Sequence, residues 1–367
     1  MTRIPIARPP ATTVAYAAGT GRTLRLVTSV STVPPHSGGR TRARFLALAG
    51  SFAVVLLLFF LAVRPWYLQW GATAEEARRP LPGDEIVRNP AGQETRAITI
   101  HAGVERVWPW LAQLGQDRGG FYSFDLLENL AGCDMPTVDR LRPDRQAWQV
   151  GDRLWMYPPD RAGGVGFATL RSYVPGRALG FGTRAAGTPL GAPEDGSWTF
   201  HLDPVGPSTT RLIVRGRGAP GRSLLGVAFD RAIFEPVHFV MERRMMIGLA
   251  QLAEGGDRQR VLNHAHVVLW TVTFACMVAA AVLVMRRERW HRPLAGFVAA
   301  AALFQFLTLV QPPVALGAAL VALLCGARWW AGGAAPAPRP AGGATSARRD
   351  RATAGALHGP CAGPVSD

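Results

Sequence analysis

Residues 45–63 form an uncharged run, FLALAGSFAVVLLLFFLAV, set between Arg44 and Arg64, and no other feature limits the possible folds as much. A helix rises 1.5 Å per residue, so the run would measure about 28 Å, close to the roughly 30 Å of bilayer hydrocarbon. Trp66, Tyr67 and Trp70 follow it as an interfacial aromatic belt would. The run is longer than the apolar core of a usual signal peptide and no A-x-A cleavage site follows, so an uncleaved transmembrane helix over 44–64 is expected.

Three further apolar stretches point the same way. Residues 264–285 read as a second span that stops at Arg286-Arg287-Glu288-Arg289. The third apolar region carries Gln311-Pro312-Pro313, and paired prolines break a helix, so two spans are expected, over 294–310 and 314–330. The net charge of +15 is unevenly placed, and every basic residue is an arginine. Residues 1–44 carry +7, residues 64–263 only +2, and the 286–292 loop and the 326–367 tail +3 each. A basic globular domain gripping nucleic acid is thereby disfavoured, and no nucleic-acid partner is expected. With four spans, the positive-inside rule puts both tails in the cytoplasm and the central region outside it. Residues 1–43 and 331–367, rich in Ala, Gly, Pro and Arg without apolar periodicity, read as disordered tails.

Residues 65–89 look like a linker containing proline and charge, which leaves 90–256 as a domain able to bury its own core. Residues 96–101 alternate as a strand, and Val104, Val107, Trp108, Leu111 and Leu114 then follow a helical pattern. Ser123 and Asp125 are placed to open a short helix ending at Leu130. From residue 152 the period becomes two, with strands expected at 152–157, 165–173, 178–183, 196–202 and 210–216, divided by Gly- and Pro-rich turns. Trp198, Phe200, Leu202, Leu212 and Val214 should face a closing helix over 236–254, and Thr199, His201, Arg211 and Arg215 should face solvent. This is an α+β plan in which an antiparallel sheet curves around a long C-terminal helix.

Four segments carry a resemblance to a known family: VWPWLAQLGQDRGGFYSFDLLENLAGCDM (107–135), VGDRLWMYP (150–158), PGRALGF (175–181) and FEPVHFVMERRMMIGLAQLAE (234–254). Together they resemble the SRPBCC, or START-like, superfamily, and most of all membrane-tethered bacterial members of its polyketide cyclase/dehydrase-like branch. The resemblance covers 90–256 and implies a helix-grip fold with a cavity for apolar ligands. It implies no reaction, because that superfamily holds lipid carriers, hormone receptors and cyclases alike.

Candidate chemistry is sparse. GRGAPG (216–221) satisfies G-x-G-x-x-G, but it follows hairpin strands instead of opening a βαβ unit, and reads as a loop. The cysteines Cys133, Cys276, Cys325 and Cys361 lie far apart, which excludes a disulfide framework and a cysteine zinc site. His238, Glu242 and Met245 share one stripe of the closing helix, where a His and a Glu could do acid–base work. No second His follows Glu242, so neither metal nor cofactor is expected. The blander reading pairs Glu242 with Arg106, Arg243 or another arginine on the surface. Arg118 and Tyr122 stand in the densest polar group, where they could meet a ligand head group or simply pair locally. The expected ligand contacts are Arg118, Phe121, Tyr122, Trp155, Trp198, Phe200, His238, Phe239, Glu242 and Met246, around a cavity opening near 119–125. No residue is assigned as catalytic.

The expected function is binding of a hydrophobic, lipid-like small molecule by a domain held against the lipid bilayer. A polyketide cyclase/dehydratase-like enzyme is one alternative, and a structural or sensory membrane protein with a vestigial cavity is another.

Overall fold

A computed structural model describes residues 37–136, 138–161, 166–184, 192–218, 223–257 and 260–327. The tails outside 37–327, Trp329 and Trp330 among them, lie outside the described residues.

Six strands form one antiparallel sheet: β1 (Gly92–Ile100), β2 (Arg153–Trp155), β3 (Phe167–Val174), β4 (Ala178–Thr183), β5 (Gly196–Gly206) and β6 (Thr209–Gly218). Their order is β1-β6-β5-β4-β3-β2, a meander whose first strand closes beside the last. The register pairs Phe200 with Val214 and Leu202 with Leu212, so the expected inward set does share one face. That face packs on helices Val104–Ala112 and Glu235–Ala253, and one contiguous core joins Ile100, Leu111, Phe200, Leu212, Met246 and Leu249. The chain is thus α+β, with a six-stranded antiparallel sheet and a long helix after it, an arrangement compatible with the helix grip.

The other sheet face is covered as well, which corrects two expectations. Residues 65–89 are not a loose linker. A capping box at Thr73 and Glu76 starts the helix Ala74–Arg78, and a 3-10 turn follows at Asp84–Val87. Leu81 packs with Ala97 and Ile213. Arg215, expected in solvent, points into this layer and donates to the carbonyls of Glu76 (2.6 Å) and Arg79 (3.0 Å) and to Asp84 Oδ2 (2.8 Å). Arg211 is half-buried against Glu76, and Thr199 and His201 are buried under the same cover. The alternation was right. The far face simply has a lid, because an arginine on a strand can satisfy several carbonyls of a strap laid across it.

Three helices are long and apolar enough to cross a membrane: Gly39–Leu68, Arg260–Arg286 and His291–Val310. A shorter apolar helix, Val314–Gly326, follows the turn at Gln311, which adopts the left-handed conformation before Pro312 and Pro313. The start of the first helix meets the end of the second, Arg44 Nη1 donating to Met285 O at 2.8 Å. A second core runs from these helices into the domain and joins Phe59, Tyr67, Phe124, Phe239, Trp270 and Leu307. The domain is therefore seated on the helices.

Candidate functional site

The most unusual chemistry in the described residues is a set of charged side chains on the inner sheet face. In β1, Glu94 and Arg96 have the strand parity of Ile98 and Ile100, so the fold carries them inward. Gly216 lies opposite Glu94 across the β1–β6 pair and opposite Trp198 across the β5–β6 pair. A Cβ there would stand 2.6 Å from Glu94 Oε1, so glycine makes the room that this carboxylate occupies. The closing helix supplies His238 and Glu242 one turn apart.

Arg96 is the hub and is wholly buried. It donates from Nη1 to Glu242 Oε1 and from Nη2 to Glu94 Oε2, each at 2.7 Å, and from Nε to the carbonyl of Tyr67 at 2.9 Å. Its guanidinium also sits 5.1 Å from the ring centroid of Phe239. Trp198 Nε1 donates to Glu242 Oε2 at 2.7 Å. His238 closes the circle, with Nδ1 3.4 Å from Glu94 Oε1 and Nε2 3.9 Å from Glu242 Oε2. Its ring stacks on Phe234 and meets Trp198 edge-on. The His238 side chain keeps 26% exposure and that of Glu94 16%, so the network opens to the outside at this edge.

The electrostatics follow from this geometry. Burial works against the charge of Glu94, but Arg96 and His238 prevail and hold its carboxyl at about 2. Burial also works against a charged His238, but the hydrogen bond to Glu94 and the charges of Glu242 and Glu94 raise its pKa. Arg96 is held charged by Glu242 and Glu94 against the cost of burial. With His238 protonated, two carboxylates face two cations and the network is neutral.

One ligand atom from each of Glu94, His238 and Glu242 lies within 4.8 Å of the others, a spacing that could hold a metal ion. The chemistry of the set fits poorly. Each of the four carboxylate oxygens already faces Arg96, Trp198 or His238. A cation would also have to sit beside the fixed charge of Arg96. The arrangement is better suited to holding His238 in one orientation and presenting its ring at the rim.

No protein-family model matches this chain, and no curated protein matches it. Solved structures do. A protein from Nitrosospira multiformis is 19% identical over 43% of this chain and 94% of its own, with a TM-score of 0.25. One from Mesorhizobium loti is 18% identical over 45% of this chain and 99% of its own, also with a TM-score of 0.25. A polyketide-cyclase-like protein from Corynebacterium glutamicum is 14% identical over 46% of this chain and 90% of its own, with a TM-score of 0.22.

Of the residues expected from sequence, the fold gathers Trp198, His238 and Glu242 at one place. Glu242 is not a surface partner of Arg106 or Arg243 but a buried partner of Arg96. Phe200 and Met246 are fully enclosed in the main core. Phe239, expected in the same cavity wall, instead stacks on Tyr67 at 5.1 Å in the second core. Trp155 is half-buried at the sheet edge against Phe167. Among the described residues Arg118 forms no ion pair with an acid: it donates to the carbonyls of Arg145 and Ala147 and lies 3.6 Å from the ring centroid of Trp148.

The 119–125 segment, expected as a mouth, is tied down. Tyr122 is buried and donates to the carbonyl of Trp110 (3.1 Å), beside Phe121 in the core. Ser123 does not cap the helix Asp125–Leu130; its hydroxyl donates to the carbonyl of Met241 at 2.7 Å. The depression that opens nearby is lined by Val138, Asp139, Arg140 and Arg142, too polar for an apolar guest. Glu94 and Arg96 were not singled out from sequence. The available signal was two charges on the apolar parity of a strand.

Proposed function

We propose that the chain is a membrane-anchored helix-grip domain that binds an amphipathic, lipid-like molecule at the membrane surface. The observation that carries this reading is where the Glu94–His238 pair opens. It does so between Phe234 and Trp198, one turn from Glu235, which is ion-paired with Arg64 at the end of the first apolar helix. A polar head group would meet His238 there, and its chains would lie along neighbouring apolar surface. The mouth thus belongs at this rim and not at 119–125. The arginine asymmetry supports an extracytoplasmic domain with both tails inside.

Native mass spectrometry of the full chain, extracted with its lipids, tests the proposal. Retained lipid in the parent and its loss in His238→Ala is the expected result. Equal retention in the variant, or none in the parent, overturns it.

An acid–base enzyme is the second reading, favoured by one observation: a carboxylate 3.4 Å from His238 Nδ1 is placed to orient that imidazole. Chemical conversion of a bound carbonyl-bearing lipid, abolished in His238→Gln, would support it over simple binding.

A further inference from the structure

The closing helix begins long before it reaches the sheet. Ser223 Oγ accepts from Gly226 N at 3.1 Å and caps a helix over Leu224–Phe229. The helix passes through a π-helical turn at Asp230–Phe234 and continues as Glu235–Ala253. Within that first part Leu225, Phe229, Ile233 and Val237 recur every fourth residue and are 81%, 57%, 52% and 59% exposed. Along an ordinary α-helix such a row drifts by about 40° per step. A π turn takes more residues per revolution, so the segment from 230 to 234 helps keep the row on one face. Leu224 and Phe234, also exposed, widen it.

Two contacts fix the direction of this part. Arg64 donates to both oxygens of Glu235, at 2.8 and 2.9 Å, and Tyr67 stacks on Phe239. Going from 67 to 64 and from 239 to 235 moves the same way along both helices, so they run parallel at this crossing. Residues 224–233 accordingly leave the crossing on the side of the apolar body of the first helix, away from the sheet. On that side the first helix shows Val54, Leu57, Leu58 and Leu61, all exposed. The two acids within 224–237 are Glu235, which is ion-paired with Arg64, and Asp230, which is exposed and lies off the apolar row.

We propose that residues 224–237 form a helix that dips into the membrane beside the first helix, its row Leu225, Phe229, Ile233 and Val237 inserted among the acyl chains of the bilayer. Fourteen residues span about 21 Å, short of the roughly 30 Å of hydrocarbon, so the segment dips in beside the first helix without crossing. Arg231 can extend its guanidinium back to the head groups. The inference rests on the first helix crossing that bilayer, but not on the domain holding a ligand.

The test uses the full chain in vesicles of phosphatidylethanolamine and phosphatidylglycerol, with or without spin-labelled phosphatidylcholine. An environment-sensitive fluorophore is introduced as a non-canonical residue at Leu225, Phe229 or Ile233, which leaves the cysteines untouched. Leu57 in the first helix and Val205 near the end of β5 serve as references; both are exposed. Blue-shifted emission quenched by spin-labelled lipid at all three positions, as at Leu57 and unlike Val205, is the expected result. Quenching at Leu57 alone overturns the inference while leaving the span in place. No quenching at Leu57 removes the span and the inference with it. Blue-shifted but unquenched emission at the three positions would mean a protein cover, such as a second copy, and also overturns the proposal.

Discussion

Arg96 Nη1 lies 2.7 Å from Glu242 Oε1, and the two residues, 146 apart in sequence, are both sealed from solvent. Removing one partner of a buried pair leaves an uncompensated charge, which costs about 3–5 kcal/mol. Arg96→Met should therefore destabilise the full chain in detergent by about that much, because it leaves Glu94 and Glu242 facing each other. Glu242→Gln should cost less, since an amide oxygen can still accept from Arg96. The double variant Arg96→Met/Glu242→Met should recover part of the loss of Arg96→Met alone. Thermal unfolding of these variants and of Glu242→Met alone checks this, and strictly additive losses of the two Met substitutions would show that the pair is not coupled.

His201 gives the chain an acid-sensitive step. Burial, with the nearby charge of Arg215, lowers its pKa from 6.5 to about 4. The unfolded state then takes up a proton at higher pH than the folded state, so stability falls as pH drops from 6.5 to about 4 and is flat below. The full effect of such a shift is about 3 kcal/mol. A His201→Asn variant should lose this slope in melting temperature against pH, and an unchanged slope would assign the effect to other groups.

Those two sites show what local pattern can and cannot reveal. The inward set Trp198, Phe200 and Leu202 was legible because alternation is a property of the strand itself. The burial of His201 was not, because its cover comes from residues 72–87, whose prolines and charges carry no periodicity. Likewise His238 and Glu242 announced themselves by helical spacing. Glu94 and Arg96 gave no motif, and their role appears only when β1 closes the sheet beside β6. The apolar row of 224–237 begins ahead of the closing helix expected over 236–254, and hydrophobicity alone does not say whether protein or lipid will cover it.

The strap over the outer sheet face should depend on Arg215, which donates to Thr95 Oγ1, to Asp84 Oδ2 and to the carbonyls of Glu76, Ala77 and Arg79. Arg215→Met removes all of these donors at once and leaves the carbonyls of Glu76 and Arg79 without this donor under the cover, while that of Ala77 keeps Gln93 Nε2 at 2.8 Å. Limited trypsin digestion should then cut faster after Arg78 and Arg88, with other sites unaffected; Pro80 protects the bond after Arg79. Equal digestion rates would mean that Leu81 and the Thr73–Glu76 capping box hold the strap without the arginine.

Gly248 sets the distance between the closing helix and the 119–125 segment. A Cβ at this position would stand 2.2 Å from the carbonyl oxygen of Tyr122 and 3.1 Å from its Cβ. Two effects of opposite sign meet there. Replacing a helical glycine by alanine is worth about 1 kcal/mol in propensity. The clash is against backbone, and Tyr122 has little freedom to retreat: it holds a left-handed conformation, is buried, and donates to the carbonyl of Trp110. Overpacking of this kind costs about 1–3 kcal/mol, and contact with a carbonyl falls at the severe end. Gly248→Ala should therefore lower stability despite its better propensity. Gly50→Ala, where an added Cβ meets nothing within 4 Å, should show no loss. If Gly248→Ala melts at or above the parent temperature, the segment yields easily, and the reading of 119–125 as a fixed wall instead of a gate is wrong.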